Sequence, residues 1–307
     1  MIDKIDLIRE EIAKVVVGQK SMIDGLLIGL FTNGHILVEG IPGLAKTTTI
    51  KALSLALKLE FKRVQFTPDL LPSDIIGAEI YDPKDSSFKI KRGPIFTQLL
   101  LADEINRSPS KVQSALLEAM QERQVTIGDK SFKLPSPFMV MATQNPLEQE
   151  GIYRLPEAQL DRFMMKILIT HNTKEQELEI VRRVANRESK NIEATISSND
   201  LEIISKEIES VYIDREVEEY IIDLVTKTRE KNSNIRYGVG VRASIDLYRA
   251  SKAYAYLNRK DFVTPVDIIT MSYPVFRHRL GLSYEAKAKG LSCDMVIKDI
   301  IDSIDIP

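Results

Sequence analysis

The sequence predicts an α/β fold, a core with a five-stranded parallel sheet around a phosphate-binding loop, followed by a smaller all-helical domain. Three observations carry that prediction. An apolar run, His35-Ile36-Leu37-Val38, leads into Gly40-Ile41-Pro42-Gly43-Leu44-Ala45-Lys46-Thr47 and then into a helix-forming stretch from Thr48 to Leu59. Buried strand-like runs alternate with helical segments, which is the signature of a parallel sheet. From about Lys174 the apolar spacing turns helical almost throughout, so the chain divides into 1–172 and 173–307 with a hinge near Thr170 to Lys174.

The glycine loop comes first because the core is arranged around it. Strand, glycine loop and helix is the context that phosphate binding requires. The glycines let the backbone curl so that its N–H groups point at phosphate oxygens, and the following helix adds the positive end of its dipole. Lys46 would reach the β- and γ-phosphates, and the Thr47 hydroxyl would hold Mg²⁺. Ala45 stands where a glycine is usual before the lysine. Its methyl is tolerated if the residue already has helical dihedrals. The bland alternative is a strand-to-helix turn that happens to contain two glycines.

In chain order, Asp3 to Val17 carries a helical stripe of Ile5, Ile8, Ile12 and Val15, broken by Gly18-Gln19. Ser21 can cap a second helix, Met22 to Phe31, which Asn33-Gly34 ends. After the phosphate loop, Phe61 to Phe66 is a second strand, stopped by Thr67-Pro68-Asp69. Gly77 to Arg92 alternates around Asp82-Pro83-Lys84-Asp85-Ser86 and reads as a β-hairpin. Leu99 to Ala102 is a third strand, ending in Asp103-Glu104. Ser108 caps and Pro109 starts a helix to about Glu122. A second small hairpin, Gln124 to Leu134, turns at Gly128-Asp129. Phe138 to Thr143 is a fourth strand, ending in Gln144-Asn145-Pro146. Pro156 opens a short helix through Asp161-Arg162, and Met164 to Ile169 is a fifth strand.

Bulk properties bound the function. A chain of 307 residues is long enough for two domains and a sizeable core. A formal net charge of −2 gives no global pull toward nucleic acid. A single cysteine, Cys293, excludes an intramolecular disulfide and suits a reducing compartment. It reads as a small buried apolar residue. No apolar run approaches the ~18 residues of a membrane span, and Met1 to Glu11 lacks the basic-then-apolar pattern of a signal, so the expected location is cytoplasmic. His35, His171 and His278 have no metal-ligand spacing.

Five further positions carry candidate chemistry. A carboxylate at the tip of a central strand, Asp103, can hold Mg²⁺, and the adjacent Glu104 can activate an attacking water; the plain reading is an acidic turn. Asn145 could hydrogen-bond that water or the γ-phosphate, or simply end its strand before Pro146. Arg162 could stabilise charge on a transferring phosphoryl group, or be an ordinary helix-terminal cation. Arg242, in Gly238-Val239-Gly240-Val241-Arg242, opens a helix whose dipole it opposes, so an external anion would explain it.

Glu39 to Thr47, Gln65-Phe66-Thr67-Pro68-Asp69-Leu70-Leu71-Pro72-Ser73-Asp74, Leu99 to Gln113 and Leu155-Pro156-Glu157-Ala158-Gln159-Leu160-Asp161-Arg162-Phe163 together resemble the MoxR family of AAA+ ATPases. The resemblance runs from about Val17 to Gly290, and Ala45 fits the family's phosphate loop. It implies an AAA+ P-loop core with a helical lid. Gly40 to Thr47, with Thr48 after them, would be the Walker A loop. Asp103 and Glu104 would be the metal-ordering and water-activating residues of Walker B. Asn145 would be sensor 1, Arg162 the arginine finger acting on a neighbour, and Arg242 sensor 2, reading the γ-phosphate from the lid. Gly18-Gln19 would lie beside the adenine. The two hairpins would be the helix 2 insert and the pre-sensor 1 hairpin. Arg154 stands where proline is usual, and Arg107 competes for the role of finger.

The implied function is Mg-dependent ATP hydrolysis by a ring, a hexamer, acting as a chaperone-like motor. Its protein partner would carry a von Willebrand factor A domain. Two alternatives stay open. Lys227, Arg229, Lys231, Arg236 and Arg242, with Tyr237, Tyr248, Tyr254 and Tyr256, could form a single-strand-binding groove of a nucleic-acid motor; the other account is a solvated face with half-buried tyrosines. The chain could also be a nucleotide-gated scaffold that needs the loop but not Glu104. A chelatase-like role is a variant of the motor.

Overall fold

The computed structural model describes residues 1–84, 86–146, 153, 155–186 and 191–307. Two helices open the chain, α1 (Ile2–Ala13) and α2 (Lys20–Phe31). The α/β core then runs β1 (Ile36–Glu39), α3 (Lys46–Ala56), β2 (Phe61–Gln65), α4 (Pro72–Ile76), the hairpin β3 (Gly77–Asp82) and β4 (Ser87–Arg92), and β5 (Leu99–Asp103). After a short 3₁₀ turn, Ile105–Arg107, come α5 (Ser110–Glu122), the hairpin β6 (Gln124–Ile127) and β7 (Lys130–Lys133), β8 (Met139–Gln144), α6 (Glu157–Leu160) and β9 (Met165–Leu168).

The helical part contains α7 (Lys174–Ala185), α8 (Ser198–Ser210), α9 (Arg215–Lys227), β10 (Ile235–Tyr237), α10 (Val241–Leu257), α11 (Pro265–Phe276), β11 (Gly281–Leu282), α12 (Tyr284–Ala288) and α13 (Cys293–Asp302). The antiparallel pair β10–β11 is a small addition to the helical pattern read from the sequence.

The sheet has the order β2-β5-β8-β1-β9 with every pairing parallel. Parallel strands need crossovers, and the helices supply them on both faces. Alternation along the strands sorts the core. Ile36, Val38, Leu99, Leu101, Met139 and Met141 face an apolar cluster shared with α1, α2 and α3. Leu37, Leu100, Ala102, Val140 and Ala142 face a second cluster under α5 and the hairpins. Ile36, Leu37 and Val38 are fully buried; each contributes about 1.5–3 kcal/mol relative to exposure. The first cluster continues without a break into α8, α9, α10 and α11, so β9 and α2 are where the helical part is anchored.

This topology places the C-terminal tips of β1, β2, β5 and β8 together. Glu39 pairs with Gln144, and Gln65 pairs with Asp103. The other ends of β1 and β9 meet at Met164, whose N–H donates to the His35 carbonyl at 2.8 Å. The two end residues of β1, Ile36 and Glu39, are about 10 Å apart, three steps of ~3.3 Å.

Several local expectations are corrected. The second helix starts at Lys20, and Gln19 precedes it with φ 57°, so Ser21 is not its cap. The helix after Pro109 starts at Ser110, and the Ser108 hydroxyl instead donates to the Ile105 carbonyl at 3.3 Å. Arg154 and part of the turn between β3 and β4, Asp85, lie outside the described residues.

Candidate functional site

The loop between β1 and α3 owes its path to two glycines with different duties. A Cβ on Gly40 would stand 3.1 Å from the Ile169 Cβ and 3.3 Å from its carbonyl oxygen, so a side chain here would crowd the loop where it lies against the end of β9. Gly43 has φ +87°, a left-handed conformation that favours glycine. Ala45 overturns the expectation of right-handed helical dihedrals. It sits at φ 56°, ψ 20°, immediately before the helix. An alanine there costs about 1–2 kcal/mol relative to the right-handed form. The helix therefore starts at Lys46, and Thr47 and Thr48 occupy its first turn with free N–H groups at that end.

Lys46 Nζ donates to the Gly40 carbonyl at 2.7 Å, folding the side chain back over its own loop. Burial lowers its pKa, while the Asp103 and Glu104 carboxylates oppose that shift. Both acids, Lys46, Thr47 and Asn145 line one cavity of about 400 Å³, so the phosphate loop and the acidic strand tip share a single space.

The acidic pair is organised from neighbouring strands. Thr143, on β8, is fully buried. Its hydroxyl donates to Asp103 Oδ1 at 2.6 Å and accepts from the Glu104 backbone N–H at 2.9 Å. Arg63, on β2, donates to Asp103 Oδ2 from Nε at 3.1 Å and from Nη2 at 2.7 Å. Gln65 donates to Glu104 Oε2 at 2.6 Å, and Arg107 reaches the same oxygen at 3.1 Å. Glu104 itself has φ 57°, which turns its carboxylate out of the strand direction. Arg63, Gln65 and Thr143 are site residues that sequence reasoning missed. Gln65 and Thr143 lie at or next to strand ends, the one signal available for them, while Arg63, in the middle of β2, carries none.

The residues here fit a bound Mg²⁺. The Thr47 hydroxyl and the Asp103 carboxylate are hard oxygen donors in one cavity, and Mg²⁺ keeps several waters and takes few protein ligands. Among the described residues, no cluster of three or more His, Cys, Asp or Glu side chains offers a different metal site.

Gly18 and Gln19 do not line this cavity. They lie against the segment after β9: Gln19 Nε2 donates to Asn172 Oδ1 at 3.2 Å, and a Cβ on Gly18 would stand 2.9 Å from that same oxygen. Ile41 and Leu44 turn toward the core instead of the cavity.

The two remaining arginines are not beside the protomer's own phosphate loop. Arg162 and Arg242 line a different cavity, about 330 Å³, together with Gly34, Arg123 and Asp161. That cavity lies at the N-terminal ends of β1 and β9, across the sheet from Lys46. Arg242 Nη1 pairs with Asp161 Oδ2 at 3.5 Å, so its helix-opening charge finds an anion within the chain. Among the described residues, the Arg162 guanidinium has no hydrogen-bond or ion-pair partner. Arg107, by contrast, lies on its own Glu104.

In the basic, tyrosine-bearing stretch, Lys227 pairs with Glu230, Arg229 donates to the Val239 carbonyl, and Tyr256 donates to Glu207. Tyr237, Tyr248, Tyr254 and Tyr256 are each half-buried.

Comparison with known proteins agrees with this geometry. Residues 35–165 match the family model for the ATPase family associated with various cellular activities, and residues 227–300 match an AAA lid domain. The chain is 41% identical over 97% of its length to Chaperone MoxR1 of Mycobacterium tuberculosis, covering 81% of that protein. It is 28% identical over 97% of its length to Protein MoxR of Methylorubrum extorquens, covering 93% of it. The crystal structure of a candidate ATPase from Cytophaga hutchinsonii is 51% identical and superposes with a TM-score of 0.93, over 100% of this chain and 96% of that one. Phosphate loop, acidic strand tip and helical lid, in this order and with relatives this similar along nearly the whole chain, make it a member of the MoxR family of AAA+ ATPases.

Proposed function

We propose that this chain hydrolyses Mg·ATP in a ring whose catalytic sites are each completed by the neighbouring subunit. The observation that carries the reading is the separation of the two halves of the chemistry. Lys46, Thr47, Asp103, Glu104 and Asn145 share one cavity, while Arg162 and Arg242 stand together across the sheet. A pair of arginines that far from its own loop serves a triphosphate on another protomer. Head-to-tail contacts of this kind close into rings, and a hexamer is the expected size.

Within one site the backbone N–H groups of Gly40 to Thr48 and the Lys46 ammonium would grip the phosphates. Thr47 and Asp103 would hold Mg²⁺, which shields charge on the β- and γ-phosphates when bound. Glu104 Oε2 is held by Gln65 and Arg107, and among the described residues Oε1 accepts no hydrogen bond. Oε1 would take the proton from water as the water oxygen attacks the γ-phosphorus and the bond to the β-phosphate oxygen breaks. Asn145 would orient that water, and the neighbour's arginines would stabilise the transferred group. Gly18 and Gln19, against Asn172 near the end of β9, would flank the adenine.

Residues 1–172 and 173–307 would act as body and lid, moved against one another by hydrolysis. A chaperone among the relatives supports a protein client over a nucleic acid. The family resemblance supports a partner with a von Willebrand factor A domain and a cytoplasmic location. Among the described residues, no helix is long and apolar enough to cross a membrane.

The test is complementation by mixing. Rings of Lys46→Ala and rings of Arg162→Ala should each hydrolyse ATP at least 10²-fold more slowly than wild type, since a finger is worth about 10³–10⁵. Co-assembled, the two should regain activity, because intact loops then meet intact arginines. Mixed rings as inactive as their parents would refute completion between subunits.

A further inference from the structure

We propose that Arg279 is a positioning residue that locks Arg162 and Arg242 into one unit, so that the neighbour's nucleotide meets both or neither. The inference rests on the intersubunit site proposed above.

Arg279 follows α11, and its side chain is only 2% exposed. Burying a guanidinium costs several kcal/mol unless it is paired and its donors are satisfied. Here every donor group is used, and the acceptors come from three parts of the chain. Nε donates to Asp161 Oδ1 at 2.8 Å, and Nη2 donates to the carbonyls of Asp161 at 3.1 Å and Phe163 at 2.8 Å. Those carbonyls bracket Arg162 on both sides, so the backbone that carries Arg162 is pinned at its two neighbours. Nη1 donates to the Met164 carbonyl at 3.2 Å and to the Val275 carbonyl of α11 at 3.1 Å. Nη2 also pairs with Asp246 Oδ2 at 2.5 Å.

Asp246 is the link to the second arginine. It lies four residues after Arg242 in α10, one helical turn along the same face. Asp161 closes the circuit: its Oδ1 accepts from Arg279 while its Oδ2 pairs with Arg242. The loop before β9, the first turns of α10 and the end of α11 thus share one buried cation. A displacement of α10 relative to the sheet is transmitted to Arg162 through Arg279, without contact between Arg162 and Arg242 themselves.

A purely structural ion cluster would explain the burial but predicts a different experiment. In assembled full-length protein, Asp246→Asn removes one carboxylate charge from Arg279 and spares both arginines. Its rings should bind ATP within about threefold of wild type, but hydrolyse it at least about tenfold more slowly, as a misplacement on the order of 1 Å costs about 10²-fold. Mixed with Lys46→Ala subunits, which keep an intact arginine unit, they should regain turnover. Arg279→Lys, which keeps the charge but loses the fork, should behave the same way if it folds.

Near-wild-type turnover of Asp246→Asn rings overturns the proposal. So does lost turnover that mixing does not restore while the Lys46→Ala with Arg162→Ala mixture does recover. If that control mixture fails too, the intersubunit site itself is wrong and this inference falls with it.

Discussion

Thr143 shows how much of the catalytic chemistry depends on a residue that carries none. Its hydroxyl bridges Asp103 Oδ1 and the Glu104 N–H from a fully buried position. Thr143→Val keeps the shape and removes both bonds, leaving a carboxylate oxygen and an amide unsatisfied. The expected cost is about 1–3 kcal/mol per stranded group, read as a lower denaturation midpoint. The rate should fall at least about tenfold, with ATP affinity little changed. Glu104→Gln should separate the roles further: ATP still binds, but turnover drops by about 10²–10⁴ because the proton acceptor is gone. Unchanged turnover in Glu104→Gln would remove this residue from the reaction. At this scale the sequence showed what is contiguous. Lys46, Thr47, Asp103, Glu104 and Asn145 each end or follow an apolar run. Arg63, Gln65 and Thr143 matter only through cross-strand register, Gln65 opposite Asp103 and β8 beside β5, which no single run contains. The left-handed Ala45 was illegible for a similar reason, since a methyl in the sequence does not announce its φ.

At the scale of elements, the first hairpin was legible to its ends, Gly77 and Arg92, because alternation flanks the Asp82-Pro83-Lys84 turn on both sides. Its neck was not. A Cβ on Gly93 would stand 2.1 Å from the Ile75 carbonyl oxygen, and one on Gly77, at φ +103°, would stand 2.2 Å from the Lys91 carbonyl oxygen. Two glycines thus let the hairpin leave α4 through a crossing too narrow for a side chain. α4 itself, five residues from Pro72 to Ile76, is too short for periodicity to reveal. Beyond the neck, Tyr81 and Phe88 meet as a tilted pair, ring centroids 5.4 Å apart and planes at 60°, while each stays more than half exposed. Gly93→Ala should therefore loosen the hairpin without touching the phosphate cavity. Amide exchange in β3 and β4 should speed up at least tenfold, while ATP affinity stays within twofold of wild type. Protection unchanged in β3 and β4 would mean that the neck tolerates a methyl. Strands were easier to read than their order: five apolar runs gave a sheet, but β1 between β8 and β9 follows from crossovers that the sequence does not encode locally.

For the whole molecule, the feature hardest to foresee was where the helical part docks. Helical spacing after Lys174 showed that it exists, and nothing in that spacing showed that Arg242 would sit beside Arg162. The docking runs along a seam at the N-terminal edge of the sheet; His278 bridges it, and His35 braces the core side of it. His35 Nδ1 accepts from the Val140 N–H at 3.0 Å, which leaves Nε2–H to donate to the Met120 carbonyl at 3.1 Å, tying the sheet to α5. His278 Nε2 is 2.7 Å from the Phe163 carbonyl, tying the end of α11 to the arginine loop. Both rings are neutral in the fold. Burial lowers the pKa of His35 to about 4, and burial with the nearby Arg279 charge holds His278 well below its ordinary value. A base whose folded pKa is depressed binds its proton more readily in the unfolded chain, so stability is full above about pH 6.5 and falls as pH drops toward the folded values. His35 alone should cost about 3 kcal/mol by pH 4, at about 1.4 kcal/mol per unit. Denaturant midpoints of nucleotide-free, unassembled subunits should therefore fall steadily from pH 6.5 to 4.5, and His35→Gln should flatten part of that fall. The arginine loop, held by His278 and Arg279 on the same seam, should lose amide protection over the same pH range. A wild-type stability that stays level across it would mean that neither ring is kept neutral by the fold, and the seam would then owe its closure to Arg279 alone.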